Sequence, residues 1–573
     1  MQRISRRTVL KGGLAMAAAF TTHGCATTSG GRDLIGFRPV PKPTIPARMP
    51  IISPDYEYQT LIPWGTPLAP NGPPYNHPPT AADQALQVGI GHDGMAFFST
   101  SEDGNQGLLA INHEFGRNRH LLGLDAPTTL AQVRTSQHAH GASIIAIKKT
   151  GDRWESIASP ANRRIHANTP MSFSGPVAGH ALLKNQADNT PKGTFANCSN
   201  GRTPWGTYLT CEENFNLYFS TSSSFEPDAV QARYGLSARG AGYDWHKHDP
   251  RFDLNNPAFK NESHRFGWVV EIDPNDHSSN PIKRTALGRF KHEGAAVAEG
   301  RDGRIVTYMG DDQRFEFIYK FVSKDNWQKM KANGQSPFDD GTLYVARFDD
   351  GGSGEWIPLT MSDPRLNARF SDQAEILTFA RIAGTIVGAT PMDRSEWTSV
   401  APNGWVYCTL TNNSRRETTD AANPVAPNRN GHIIRWRDSD DHLGTSFRWD
   451  IFLVADNHYE SEEGFGSPDG LWADPDGRVF IMTDGQQPNG MNNQLLVADS
   501  MTGKIARLLI GVPACEVTGL TTTPDRTTLF VNIQHPGYGD PMLTNFPAPS
   551  DGVTVPRDCT LAIRRRDGGI VGS

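Results

Sequence analysis

Short apolar runs of strand length recur along this chain between Gly- and Asp-containing turns, and acidic residues stand at both ends of the runs. The clearest unit spans Asp469 to Asp484. Asp469-Gly470 opens it, Leu471-Trp472-Ala473 makes a short strand, Asp476-Gly477 makes a hairpin turn, and the β-rich run Arg478 to Thr483 leads into Asp484. The same grammar returns from Glu293-Gly294 through Asp302-Gly303 and Ile305 to Met309, ending at Asp311-Asp312. It returns again from Thr518-Gly519 through Pro524-Asp525 and Leu529 to Val531, ending at Asn532. Three looser copies run from Asp93 to Glu114, from Thr203 to Glu213 and from Glu396 to Asn413.

Between these units lie second hairpins of another composition, at Ser143 to Ile147, Trp268 to Pro274, Ile433 to Trp436 and Leu495 to Lys504. Two hairpins make a four-stranded blade, so six units predict an all-β fold, a six-bladed β-propeller. The copies are unevenly spaced, which calls for helical and loop insertions between blades. Apolar spacing predicts helices over Ser323 to Gly334 and Ser371 to Ala383. A generic β-sandwich with chance Asp-Gly turns would not put acids at both ends of corresponding strands. Ahead of the first unit, residues 31–80 are rich in Pro and polar residues and are expected to wrap the surface of a propeller domain spanning 81–573.

The innermost strands of a propeller line its central channel, so equivalent positions of all blades converge on one axis. Glu114, Glu213, Glu293, Asp312, Glu396, Asp469 and Asp484 are thereby candidates to meet. Like charges so close in a low dielectric repel strongly unless cations neutralise them. Oxygen-rich sites suit hard cations: calcium, and ferric iron where the charge is densest. Arg394, just before Glu396, and Lys184 are the cations expected to hold an anionic substrate against such metals, with an ordinary salt bridge as the competing role for each. His113 and His292 each precede a Glu and read as polar neighbours, not as ligands. The chain has no Gly-x-Ser-x-Gly elbow, Gly-Lys-Ser/Thr loop or His-Glu-x-x-His motif. Serine-based and nucleotide-driven chemistry thus lose support, and metal-assisted attack on an ester remains.

Composition fits this picture, since 56 Gly and 41 Pro supply the tight turns that many short strands need. A formal net charge of -6 leaves no basic face for nucleic acid. Beyond the N-terminus no apolar run approaches the length of a transmembrane segment. Residues 1–30 read as an address: Ser5-Arg6-Arg7-Thr8-Val9-Leu10-Lys11 and the mildly apolar Gly12 to Phe20 form a twin-arginine signal. The twin-arginine export machinery carries proteins already folded, which suits one that takes up metal before reaching the periplasm or the medium. Cys25, after Gly24, is a candidate lipid anchor, although Thr22 and His23 make a poor lead-in. Cys198, Cys211, Cys408, Cys515 and Cys559 are an odd number, so at least one is unpaired, and a Cys198–Cys211 disulfide competes with a ligand role for Cys198. A monomer is expected.

Asn197-Cys198 through Thr203-Pro204-Trp205-Gly206-Thr207 to Thr210-Cys211-Glu212-Glu213-Asn214 resembles the signature of the calcium-dependent alkaline phosphatases of the PhoX family. Asn112-His113-Glu114, Gly288 to Gly294, Phe315 to Val322, Pro391 to Trp397 and the Asp469 to Asp484 unit extend the resemblance over nearly the whole chain after the leader. The resemblance implies two ferric ions bridged by an oxo group, with accompanying calcium ions, hydrolysing phosphate monoesters. It implies that Cys198, Glu213, Glu293, Glu396 and Asp484 hold iron, that Glu114, Asp312 and Asp469 hold calcium, and that Arg394 and, by a weaker match, Lys184 contact phosphate. Two readings compete: a calcium-dependent propeller lactonase or arylesterase, which needs neither the thiol nor these cations, and a non-catalytic propeller with structural calcium.

Overall fold

In every blade the first strand begins beside the end of the second, because the two pair antiparallel across a tight turn. The computed structural model describes residues 33–43 and 46–573. Arg6, Arg7 and Cys25, on which the export and anchor expectations rest, lie outside the described residues. The first blade is His92–Ser99, Gln106–His113, Gly141–Thr150 and Arg153–Ser156. The second is Asn197–Arg202, Tyr208–Glu212, Val269–Ile272 and Ile282–Arg284. His292–Glu299, Arg304–Asp311, Ile318–Asn326 and Gly341–Asp349 form the third, and Ser395–Val400, Val406–Leu410, His432–Asp438 and Ser446–Val454 the fourth. The fifth holds Pro468–Ala473, Arg478–Thr483, Gln494–Asp499 and Ile505–Ile510, and the sixth Glu516–Thr522, Thr528–Gln534 and Cys559–Arg565.

The six innermost strands pack in a closed ring, each against the next, with the sixth returning to the first. A six-bladed β-propeller is therefore the fold, as the repeat predicts. Its apolar cores lie between blades: Val479 and Ile481 of the fifth meet Leu529 and Val531 of the sixth in one buried cluster. The third and fourth blades also join at their outer edge, where Ser353–Pro358 pairs with Ser446–Val454.

The Pro-rich leading segment does more than wrap. Tyr56–Leu61 pairs with Cys559–Arg565 and completes the sixth blade, and Ile51–Ile52 pairs with Ile505–Ile510 of the fifth. The sixth blade is thus completed by hydrogen bonds between an early and a late strand of the chain, a clasp that closes the ring. Of the two expected helices, the first shrinks to Trp327–Ala332, because its front half continues the strand Ile318–Asn326. The second extends, as Gln373–Thr378 and Ala380–Val387 on either side of Phe379. Leu130–Ala139, capped by the Thr129 hydroxyl accepting from the Gln132 N–H, is a helix the apolar spacing did not reveal.

Glycine follows the acid in several units because the next blade's backbone passes there. A Cβ on Gly94 would stand 2.6 Å from the Cys198 carbonyl oxygen, and one on Gly519, at φ +55, 2.1 Å from that of Asp93. All five described cysteines are unpaired and buried, so no Cys198–Cys211 disulfide forms. Cys211 instead packs with Leu209 and Trp268 in an apolar cluster. Among the described residues no helix is long and apolar enough to cross a membrane.

Candidate metal centre on the axis

Two tiers of side chains surround the axis, and strand pairing explains both. The upper tier occupies the start of each innermost strand: Asp93, Cys198, Glu293, Glu396, Asp469 and Glu516, in blade order. The lower tier is the first residue after each second strand: Glu114, Glu213, Asp312, Thr411, Asp484 and His535. Register binds the tiers together, since the pairs His92↔His113, Asn197↔Glu212, His292↔Asp311, Ser395↔Leu410 and Pro468↔Thr483 each immediately precede one member of both tiers. A backbone feature aims the upper tier. Two residues before Asp93, Cys198, Glu396, Asp469 and Glu516 stand Gly91, Ala196, Arg394, Ser467 and Ala514, all at φ between +50 and +68. For non-glycine residues such a conformation costs about 1–3 kcal/mol each, a strain that folds retain mainly at functional sites.

The groups these strands deliver lie close together. Cys198 Sγ donates to Glu293 Oε1 at 2.8 Å. Ligand atoms of Cys198, Glu213 and Glu293 lie within 4.8 Å of one another, as do those of Asp93, Glu114 and Cys198, of Glu293, Glu396 and Asp469, and of Asp484, Glu516 and His535. Arg394 donates to Asp312 Oδ2 at 2.7 Å and reaches Glu396 Oε1 at 3.0 Å. Lys291 is buried and donates from Nζ to Asn214 Oδ1 at 3.0 Å, and the Asn214 amide in turn donates to Glu213. The Thr411 hydroxyl donates to Glu396, and that of Thr518 to Asp93.

Burial dominates the electrostatics. It drives the carboxyls of Glu114, Glu213, Glu293, Glu396, Asp469 and Glu516 well above the carboxylate range, and the neighbouring acids push the same way. Asp93 rises to about 6, and the Cys198 thiol is raised well above its usual value, again by burial first and then by the acids beside it. Asp312 is the exception: burial would raise it, but the Arg394 guanidinium outweighs burial and holds it below its usual range. One oxygen each of Asp93, Asp312 and Asp469 is buried without any hydrogen-bond partner. Orphaned buried oxygens are costly, and together with a thiol among carboxylates they fit cations as the missing partners.

Of the residues singled out in the sequence, Glu114, Glu213, Glu293, Asp312, Glu396, Asp469, Asp484, Cys198 and Arg394 all reach this centre. Lys184 does not. It is exposed beyond the short helical turn Ala181–Leu183, where its N–H donates to the Ala181 carbonyl and its own carbonyl accepts from the Asn261 amide. The lysine that does reach the site is Lys291, and a sequence signal for it exists: Lys291 precedes Glu293 by two, as Arg394 precedes Glu396. Asp93, Glu516 and His535 were also missed. Asp93 opened a recognised unit without being weighed as a ligand. The last unit was read as starting at Thr518-Gly519 and ending at Asn532, inside the true tier positions.

A family described as alkaline phosphatase PhoX matches residues 36–537. The solved structure of Pseudomonas fluorescens PhoX in complex with vanadate, a transition state analogue, is 45% identical, covers 94% of this chain and 100% of its own, and superposes with a TM-score of 0.88. Two far weaker structural matches are a Dyadobacter fermentans protein of unknown function and a Xanthomonas campestris gluconolactonase, at 9% and 10% identity. They cover 90% and 83% of this chain and 100% and 96% of their own, with TM-scores of 0.36 and 0.29. No curated protein matches the chain. The match over most of the chain, together with the acid-lined axis, means that this protein belongs to the PhoX family of metal-dependent alkaline phosphatases and is a phosphoric monoester hydrolase.

Proposed function

We propose that this chain hydrolyses phosphate monoesters on the propeller axis, at an iron and calcium cluster held by the two tiers. The observation that carries the reading is the set of buried acids around Cys198, several with orphaned oxygens, which the two nearby cations Arg394 and Lys291 are too few to offset. Cys198 with Glu213 and Glu293 forms the donor set suited to ferric iron, and the all-oxygen group of Glu293, Glu396 and Asp469 extends it. Glu114 and Asp312 add hard oxygen donors suited to calcium; Asp469, which the resemblance gives to calcium, joins the iron group instead, and Asp484, which it gives to iron, lies with Glu516 and His535. When bound, these cations supply Lewis-acid polarisation of the ester and activation of the attacking oxygen.

The chain's own residues bind and orient. Arg394 presents a planar fork whose side chain is 24% exposed, so it meets the solvent side of the site while Asp312 and Glu396 fix its position. Such a fork matches two phosphoryl oxygens. Lys291, anchored on Asn214, takes the role first assigned to Lys184 and sets a fixed positive charge beside Glu213 and Asp312. Phosphoryl transfer leaves little covalent work for the protein, so fixed charges of this kind carry most of its contribution. The twin-arginine leader supports export of the folded, metal-loaded protein to the periplasm.

Metal analysis of protein recovered from the export route, with a phosphomonoesterase assay before and after chelation, tests the reading. Iron and calcium in the active protein and loss of turnover on chelation are expected. Full turnover by metal-free protein overturns it.

A further inference from the structure

Toward the first and second blades the axial site opens into a cavity of about 470 Å3, lined by both Glu114 and Asn214 of the site itself. Its size falls in the range of small-molecule pockets. Its other walls carry the apolar surfaces of Phe115, Leu217, Tyr218 and Tyr243, with Arg117 and the Arg119–Asp125 ion pair among them. Tyr243 is half-buried and stacks on Tyr218, with ring centroids 4.2 Å apart and planes 11° from parallel. Tyr218 is buried, and its hydroxyl donates to the Glu114 carbonyl at 3.1 Å, so the aromatic pair is fixed relative to the acid. The Asn118 amide donates to the carbonyls of Asp125 and Gly242, joining the two loops that bound the cavity.

The opposite side of the axis has different chemistry. Arg394 stands there, with Arg314 reaching Asn412 Oδ1 at 3.1 Å, whereas Lys291 donates to Asn214 on the cavity's own rim. An ester whose phosphoryl oxygens meet the Arg394 fork turns its alcohol toward the aromatic wall.

We propose that this cavity is the leaving-group subsite, that it takes the planar ring of an aryl or nucleoside phosphate by stacking on Tyr243, and that Tyr243 sets a preference for such esters over aliphatic ones. The proposal rests on the axial centre being the site of hydrolysis. An aliphatic alcohol such as glycerol has no π-face to stack, so the wall gives it little.

The test compares kcat/KM for phenyl phosphate, adenosine monophosphate and glycerol 3-phosphate in the metal-loaded wild type and in Tyr243→Ala, Tyr243→Leu and Tyr243→Phe. Stacking of this kind is lost on truncation, so the Ala and Leu variants are expected to lose about tenfold or more on both ring-bearing esters, and less than about twofold on glycerol 3-phosphate. The Phe variant keeps the ring and is expected to keep the preference. The Leu variant preserves packing on Tyr218, which separates loss of the ring from loss of the fold. Equal losses on all three esters in the Leu variant, or no loss, overturn the subsite alone. A wild type inactive on all three overturns the phosphatase reading, and the subsite with it.

Discussion

Cys198 Sγ lies 2.8 Å from Glu293 Oε1, so the thiol of the second blade and the acid of the third meet across a blade boundary. Burial, then the charges of the nearby acids, raise the thiol far above its usual pKa, and a thiolate there requires a cation. Cys198→Ala is expected to lower phosphatase kcat/KM by at least about 100-fold and to reduce bound iron. The fold should survive, because Cys198 faces acids and not the apolar cluster that holds Cys211. Iron content measured beside kcat/KM checks this, and a variant with full iron and full turnover would make the thiol structural.

Arg394 joins Asp312 to Glu396 and is held at φ +62. Replacing it by Ala is expected to cut kcat/KM for phosphate esters by about 100-fold or more, the scale seen when one preorganised donor to a transition state is removed. Arg394→Lys should recover little, since an ammonium cannot present two parallel donors. A lysine variant with wild-type kcat/KM would reduce the role of Arg394 to its charge.

Much of this site was legible because acids recur beside turn signals at corresponding strand ends, as in Asp469-Gly470 and Glu293-Gly294. Glu516 was not, because in the sixth blade the bulge falls at Thr518–Leu520 and moves the apparent start of the unit past the acid. His535 escaped because it is the one imidazole in a tier otherwise of acids and a threonine. The blade count followed from the repeat, whereas the closing strand Tyr56–Leu61 did not. Its partner Cys559–Arg565 lies at the other end of the chain, and a pairing that distant leaves no local pattern in a Pro-rich segment. Lys184 stays exposed for a related reason: a largely surface excursion over residues 186–192 separates it from Cys198.

The two lysines give a direct comparison. Lys184→Met alters an exposed side chain and is expected to leave kcat/KM within about twofold of wild type, as surface substitutions usually do. Lys291→Met removes a buried charge beside Glu213 and Asp312 and is expected to lower kcat at least about tenfold. Steady-state kinetics of the pair decide it, and the reverse ranking would return the phosphate-facing role to Lys184.

Chelation should weaken the fold as well as stop turnover. Ligand atoms of Glu293, Glu396 and Asp469 crowd within 4.8 Å of one another, and without cations their repulsion opposes the ring's closure. The unfolding temperature is expected to fall by several degrees on metal removal and to recover when calcium is restored. Added sodium chloride should not substitute, because salt screens buried charges poorly. An unchanged unfolding temperature after verified metal loss would show that the acids stay protonated and need no cation.

Acid stability is set partly away from the metal centre, by His140. Its ring is buried, edge-on to Tyr218, Tyr243 and Trp245, and its Nδ1 donates to the Ser136 carbonyl while Nε2 has no partner. Burial, opposed by the Ser136 hydrogen bond and reinforced by Arg164, lowers its pKa to about 4. The folded value thus lies below the ordinary value of about 6.5 for an unfolded chain. Well above pH 6.5 both states are neutral and the contribution to stability is complete. As pH falls below that, the unfolded chain takes up a proton that the folded one refuses, and stability is lost until the folded pKa is reached. Between pH 7.5 and 5.5 His140 alone is expected to remove up to ~1.4 kcal/mol. His140→Gln, which cannot titrate, should flatten the acid limb by that amount relative to wild type, whatever it does to stability at pH 7.5. Denaturant unfolding of both proteins at pH 7.5, 6.5 and 5.5 in calcium-containing buffer measures the slopes, with the metal-linked part common to both. Identical slopes would mean that His140 titrates in the fold as it does in the unfolded chain.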